Sequence, residues 1–246
     1  MQNIILLRGL VRESRHWGDF PTKLSKALNN IDVLTPEIQG VGKYIEKESP
    51  DNLIDMIEFM REQIKDQLNG NSTLVAMSLG GMIAKQWSEK YPDDFKNMVL
   101  INTSFKGMNP IYHRLRPNAI LQFLNIFLTP HVALREKKIL DLVSNVKAKR
   151  EETHPLWVKI QKESPVSRKS FINQIKAALK FSPASEKPKI RTLLVASKKD
   201  RLCDVLCTTK LSHKWDLPLK LHQSAGHDLP MDDPDWLIKK IKEFIQ

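Results

Sequence analysis

Three side chains have the types that could together run nucleophilic acyl chemistry. Ser78 offers a hydroxyl to attack a carbonyl, His227 an imidazole to take its proton, and Asp200 a carboxylate to hold the imidazole and stabilise its cation. Ser78 lies in STLVAMSLGGMIAKQWSEK, residues 72–90. Leu74, Val75, Ala76 and Met77 form an apolar run too short for a helix, whereas Met82, Ile83 and Trp87 follow at helical spacing, so a strand turns sharply into a helix at Ser78. Such a corner strains the serine backbone and needs small residues two places away on each side, which Ala76 and Gly80 supply. It also lifts the hydroxyl above the sheet and aims the Leu79 amide into the same space, where it could stabilise an oxyanion. An ordinary packing corner would look the same, so the reading depends on partners elsewhere.

Both partners fall after strand-like segments. Residues 192–196 read as a strand that leaves into SKKDRLCD, where Asp200 and Asp204 compete for the role of the acid. Asp200 is nearer the strand end, while Asp204 is placed as an acid at the positive end of a following helix. Residues 217–222 give a last strand. Of the seven histidines, His227 alone sits in a Gly-His turn just beyond a strand. His16, His113, His131, His154, His213 and His222 default to surface or packing roles.

The elements that must position these groups alternate regularly. Residues 3–7 and 31–34 read as strands, residues 50–68 as a helix with Leu53, Ile54, Ile57, Met60, Ile64 and Leu68 on one face and Asp51 able to cap it, and residues 98–101 as a further strand. Strand–helix alternation of this kind predicts a mostly parallel sheet with helices on both faces, and sites on such sheets lie at the carboxyl ends of the strands. Arg8, Ser78 and Thr103 fall there. From 105 to 185 the strand rhythm stops. Segments 118–128, 132–146 and 155–180 carry helical spacing, with Pro110, Pro117, Pro130, Pro155 and Pro165 expected to cut them into short helices. Residues 236–245 close the chain as a helix.

These motifs together resemble the α/β-hydrolase superfamily. AMSLG is similar to its G-x-S-x-G nucleophile elbow, with Ala76 in place of the first glycine. RGLVRESRHW is similar to the segment that begins His-Gly and ends in tryptophan, with Arg8 in the histidine's place; the resemblance implies the Leu10 amide as the second oxyanion donor. TPEIQG resembles the family's Pro-Asp-x-x-Gly turn, with Glu37 for the aspartate. Asp200 with Leu202 matches the Asp-x-apolar pattern after the penultimate strand, and GHDLP resembles the loop of the catalytic histidine. The order Ser78, Asp200, His227 is the superfamily's order. The resemblance implies a core of residues 1–104 and 186–246 and a helical cap over the site at 105–185. It implies a small capped serine hydrolase acting on a carboxylic ester or thioester, with no cofactor and no metal. A lyase or synthase on the same fold, abstracting a carbon-bound proton, and a catalytically silent binding protein are the alternatives. A serine at position 78 argues against dehalogenase chemistry, which needs a carboxylate nucleophile there.

Composition bounds the setting. At 246 residues, 41% hydrophobic and 27% charged, the chain suits one soluble α/β domain with an insertion. No apolar run approaches the ~18 residues of a membrane span. Met1 leads almost directly into strand-like residues without a basic region or cleavage site, which sets the expectation of a cytoplasmic protein. Cys203 and Cys207 are too few for a disulfide framework and are expected as packing thiols on one helix face. The net charge of +11 is concentrated in residues 101–190, which hold 17 Lys and Arg against 6 Asp and Glu. That excess could be a solvated face, or it could steer an anionic acyl carrier or an anionic lipid surface toward the site. Nucleic acid is disfavoured, because the basic stretches lack interleaved aromatic residues.

Overall fold

A computed structural model describes residues 2–183 and 186–246. Six strands make one sheet: β1 (Asn3–Leu7), β2 (Asp32–Leu34), β3 (Ser72–Met77), β4 (Phe95–Ile101), β5 (Arg191–Ser197) and β6 (Leu219–His222). Their spatial order is β2-β1-β3-β4-β5-β6 and every pairing is parallel. The eleven α-helices among the described residues are α1 (Phe20–Ala27), α2 (Leu53–Ile64), α3 (Leu79–Lys90), α4 (Ile111–Arg114), α5 (Pro117–Phe127), α6 (Val132–Val143), α7 (Lys147–Glu163), α8 (Arg168–Lys180), α9 (Val205–Trp215), α10 (Leu229–Asp232) and α11 (Pro234–Ile245).

The central strands are continuous apolar runs because both faces of the sheet are covered. Successive side chains point to opposite faces. Ile5, Leu7, Leu74, Ala76, Met98 and Leu100 therefore pack with α2, α3 and α9. Ile4, Leu6, Val75, Met77, Val99 and Ile101 pack on the other side with α1 and α11. Parallel pairing aligns the strand ends, with Leu7 beside Ala76, Ala76 beside Leu100, and Ile101 beside Val195. The loops after β1, β3, β4 and β5 thus leave from one edge.

The helices depart from the sequence expectations in three places. α2 is capped by Asn52, whose side chain accepts from the Asp55 amide, and not by Asp51, which pairs instead with Lys180. Pro155 does not end a helix: α7 runs through it. The bond lost to a helix-interior proline costs about 3 kcal/mol, and here Trp157 and Ile160, both buried against Leu140, hold the far half of the helix in line. Cys203 sits in the turn before α9, so it does not share a helix face with Cys207, although both are buried free thiols. The expected division at residue 185 lies outside the described residues.

All of α4 to α8 falls between β4 and β5. α6 and the loop after it dock on the segment that follows β6. The Asp228 amide donates to the Val143 carbonyl at 2.8 Å, and Asp232 accepts from the Gly226 and Asn145 amides at 2.7 and 3.0 Å.

Candidate active site

The site begins with the backbone of Ser78. Its φ is 56° and ψ −121°, a region that L residues with a side chain avoid and that persists only where the surroundings impose it. Three contacts impose it. The Ser78 amide donates to the Ile101 carbonyl at 3.0 Å, and the Ser78 carbonyl accepts from the Gly81 amide at 3.0 Å and the Thr103 hydroxyl at 2.8 Å. The corner is tight because α3 crosses β1 at contact distance. A Cβ on Gly80 would lie 2.5 Å from the Leu7 carbonyl oxygen. Position 76 faces α2 and α3 rather than this crossing, so the alanine methyl is simply part of the core.

Gly9 brings the loop after β1 against the serine, since a Cβ there would sit 3.2 Å from Ser78 Cβ and 3.6 Å from Oγ. That loop is strained and braced. Val11, a β-branched residue, has φ 52°, and its amide donates to Gln174 Oε1 of α8 at 2.8 Å. At the start of α3 the first amides have no partner within the helix, which leaves the Leu79 N–H free to point outward. Behind the β1 loop, a cavity of about 20 Å³ lined by Arg8, Gly9, Arg12, Glu37 and Leu79 has room for roughly one water, too little for a substrate.

His227 and Asp200 meet directly. His227 Nδ1 lies 2.7 Å from Asp200 Oδ2, with both side chains buried. The other oxygen, Oδ1, accepts from the Leu202 and Cys203 amides at 2.7 and 3.0 Å. A carboxylate so tied can only accept, so the shared proton belongs to Nδ1 and Nε2 is the basic nitrogen. Burial opposes the His227 cation, but the Asp200 charge and hydrogen bond, with help from Asp228, outweigh it and raise the imidazole above its ordinary value despite opposition from Arg8. Asp204 does other work: it caps α9 by accepting from the Leu206 amide and pairs with Arg116.

Two groups at this edge are absent from the sequence reading in the roles they hold. Asn102, in the left-handed region at φ 46°, donates to the His227 carbonyl at 2.8 Å and accepts from the Ser197 amide at 2.8 Å, so one side chain ties the ends of β4 and β5 to the histidine turn. An asparagine just past a strand end was the available signal, because it tolerates that conformation. Arg8 forms a buried two-pronged pair with Asp228, the residue after His227, at 2.6 and 3.2 Å, and its guanidinium stacks 4.7 Å from the Trp17 ring. The arginine and the aspartate match each other across 220 residues. Among the other histidines, His16 is buried against Trp157 and is held well below the ordinary imidazole range, first by that burial. His131 caps α6 and His222 pairs with Asp233.

A parallel sheet flanked on both faces, with a strained serine between β3 and α3, defines an α/β-hydrolase fold. The chain matches the family described as "Serine aminopeptidase, S33" over residues 2–234, and it belongs to that hydrolase family. It is similar to a 2-hydroxy-6-oxo-6-phenylhexa-2,4-dienoate hydrolase from Rhodococcus sp. strain RHA1, with a TM-score of 0.79 at 17% identity over 99% of this chain and 90% of that one. A thermophilic esterase from Thermogutta terrifontis gives 0.74 at 15% identity over 100% and 89%. At these identities the likeness concerns the fold. Among curated proteins, the biotin biosynthesis bifunctional protein BioHC of Teredinibacter turnerae is 27% identical over 135 residues, a match covering half of this chain and 23% of that protein.

Proposed function

We propose that the protein is a serine hydrolase of carboxylic esters or thioesters that works through an acyl-enzyme. Ser78 Oγ attacks the carbonyl carbon while His227 Nε2 takes the hydroxyl proton. The Leu10 and Leu79 amides stabilise the oxygen anion, and the imidazolium, held by Asp200, returns its proton to the leaving alcohol or thiol. Water then attacks the acyl-serine with Nε2 as base, releasing the acid and restoring the serine. The helices from α4 to α8, within 105–185, serve as the cap that shapes the acyl pocket.

The observation that carries this reading is the buried Nδ1–Oδ2 contact of 2.7 Å, with the second carboxylate oxygen fixed by two amides, at the sheet edge where Ser78 has φ 56°. An ion pair built only for stability would not need a strained hydroxyl at the same edge of the sheet. A panel of p-nitrophenyl acyl esters of increasing chain length, a thioester and an aminoacyl p-nitroanilide tests the reaction class. Ester or thioester turnover should exceed anilide turnover. On the best substrate Asp200→Asn should lower kcat by about 10³ to 10⁴, because the wrong imidazole tautomer is then populated. Asp204→Asn should stay within about a few-fold, since asparagine still caps the helix and only a partly exposed ion pair is lost. The reverse ranking would move the acid to Asp204.

A further inference from the structure

Helix α5 carries no charged residue, and its outer face is apolar. Ile120, Leu121, Leu124, Phe127 and Leu128 are exposed, Leu121 by 67% and Leu128 by 76%. At about 100° per residue these five positions share an arc of roughly 120°. The opposite face, through Ala119 and Ile126, buries against Leu142. Ile111 and Tyr112 of the preceding helix α4 are exposed as well. At the C-terminal end of α5, Phe127 stacks on Phe171 of α8 with ring centres 5.8 Å apart, and Ile172, next to Phe171 in sequence, is exposed. A solvated face would carry polar residues here, so a contiguous apolar stripe implies something that covers it.

The charges around it indicate what. From Phe95 to Arg135 the sequence contains no Asp or Glu, and none occurs from Ser164 to Pro183. Both stretches border the stripe. The Arg168 guanidinium sits over the exposed Phe127 ring at 5.5 Å, and Lys138 reaches the Asn125 side chain at 2.7 Å, while Arg116 at the start of α5 is paired with Asp204. We propose that this face docks on an anionic lipid bilayer, with the α5 side chains entering the boundary between headgroups and acyl chains and the basic rim meeting lipid phosphates. A second copy of the chain would bring the same predominantly basic rim against itself, and like charges oppose that contact. An acidic carrier protein would answer the rim but not the stripe.

The face lies close to the site. The Arg116 amide donates to the Leu202 carbonyl at 3.0 Å, and the Leu202 amide donates to Asp200. If the reading of Ser78 as nucleophile holds, docking would place the site beside a source of lipid-borne esters, but the docking itself does not rest on that reading.

Co-sedimentation with phosphatidylcholine vesicles, with and without about one third phosphatidylserine, tests the proposal. The protein should pellet with the anionic vesicles and stay soluble with the neutral ones. Leu121→Asn with Leu128→Asn should weaken binding about tenfold or more, and Arg168→Gln should weaken it as well, with melting temperatures of these exposed-site variants unchanged. Absence of vesicle binding would overturn the proposal. So would binding that the leucine variants leave intact, which would mean adhesion by charge alone. A dimer dispersed by the leucine variants would put a second copy on the stripe, and retention on an acidic acyl carrier protein without vesicle binding would put the carrier there; either result overturns it. Because the readout is binding, these outcomes are separate from any result on the hydrolysis.

Discussion

At the scale of single residues, the site depends on where protons and charges are held. His227 must be neutral to act as base, and Asp200 raises its ionisation above the ordinary imidazole value. The rate limb in kcat/KM should therefore rise with pH through a value above about 6.5. For stability the sign is opposite. A raised histidine stabilises the fold while protonated, in full below the unfolded value, and the contribution is lost as pH rises through the folded one. Asp200→Asn should move the kinetic limb downward, and a limb that stays put in that variant would separate the imidazole from the chemistry. Arg8 and Asp228 form the second charge device. Both side chains are almost fully buried, so Arg8→Met leaves an unpaired carboxylate in the interior and should cost about 3–5 kcal/mol in urea unfolding. Arg8→Met with Asp228→Asn should recover much of that loss. Arg8 was legible only as a misfit with the histidine usual at that place, because an ion pair across 220 residues leaves no local pattern.

At the scale of elements, the corner between β3 and α3 is set by how closely the helix approaches β1. Gly80→Ala would press a methyl against the Leu7 and Arg8 carbonyl oxygens, at 2.5 and 2.6 Å. Backbone cannot step aside cheaply, so we expect a loss of about 1–3 kcal/mol in thermal unfolding, with a fall in kcat/KM as the serine shifts. Ala76→Gly should leave catalysis nearly intact and cost only about 1 kcal/mol, since the methyl packs into the core and glycine weakens a strand. The four central strands were readable because their two-sided burial writes them as short apolar runs bounded by turn residues, whereas the edge strands β2 and β6 are only partly buried and were read from their place in the strand–helix alternation. The region between β4 and β5 was readable as helical but not in its divisions. Pro155 looked like a stop because local rules see only its missing N–H, whereas the burial of Trp157 and Ile160 is a tertiary fact. Asn102 and Gln174 belong to the same class: their partners come from other elements, and no spacing announces them.

At the scale of the whole molecule, the helices after β4 are tied to the core by buried polar contacts close to the site. Glu136 of α6 pairs with Arg12 of the β1 loop at 3.1 Å, both nearly sealed from solvent. Burial pulls the Arg12 guanidinium below its ordinary value, against the pull of Glu136, and the guanidinium packs 4.2 Å over the Trp157 ring of α7. Glu136→Ala should therefore loosen the helical region before it unfolds the sheet. Hydrogen exchange should speed up in α6 and α7 and in the β1 loop while β3 and β4 stay protected; uniform loss of protection would instead mean one cooperative unit. No helix among the described residues is long and apolar enough to cross a membrane. In the proposed reaction the strained hydroxyl at the β3–α3 corner forms a covalent intermediate. The most direct measurement is intact-protein and peptide mass spectrometry after treatment with a fluorophosphonate. A single adduct is expected on the peptide containing Ser78, absent in Ser78→Ala and slowed in Asp200→Asn. An adduct that persists in Ser78→Ala, or a folded wild-type protein that takes none, would contradict it.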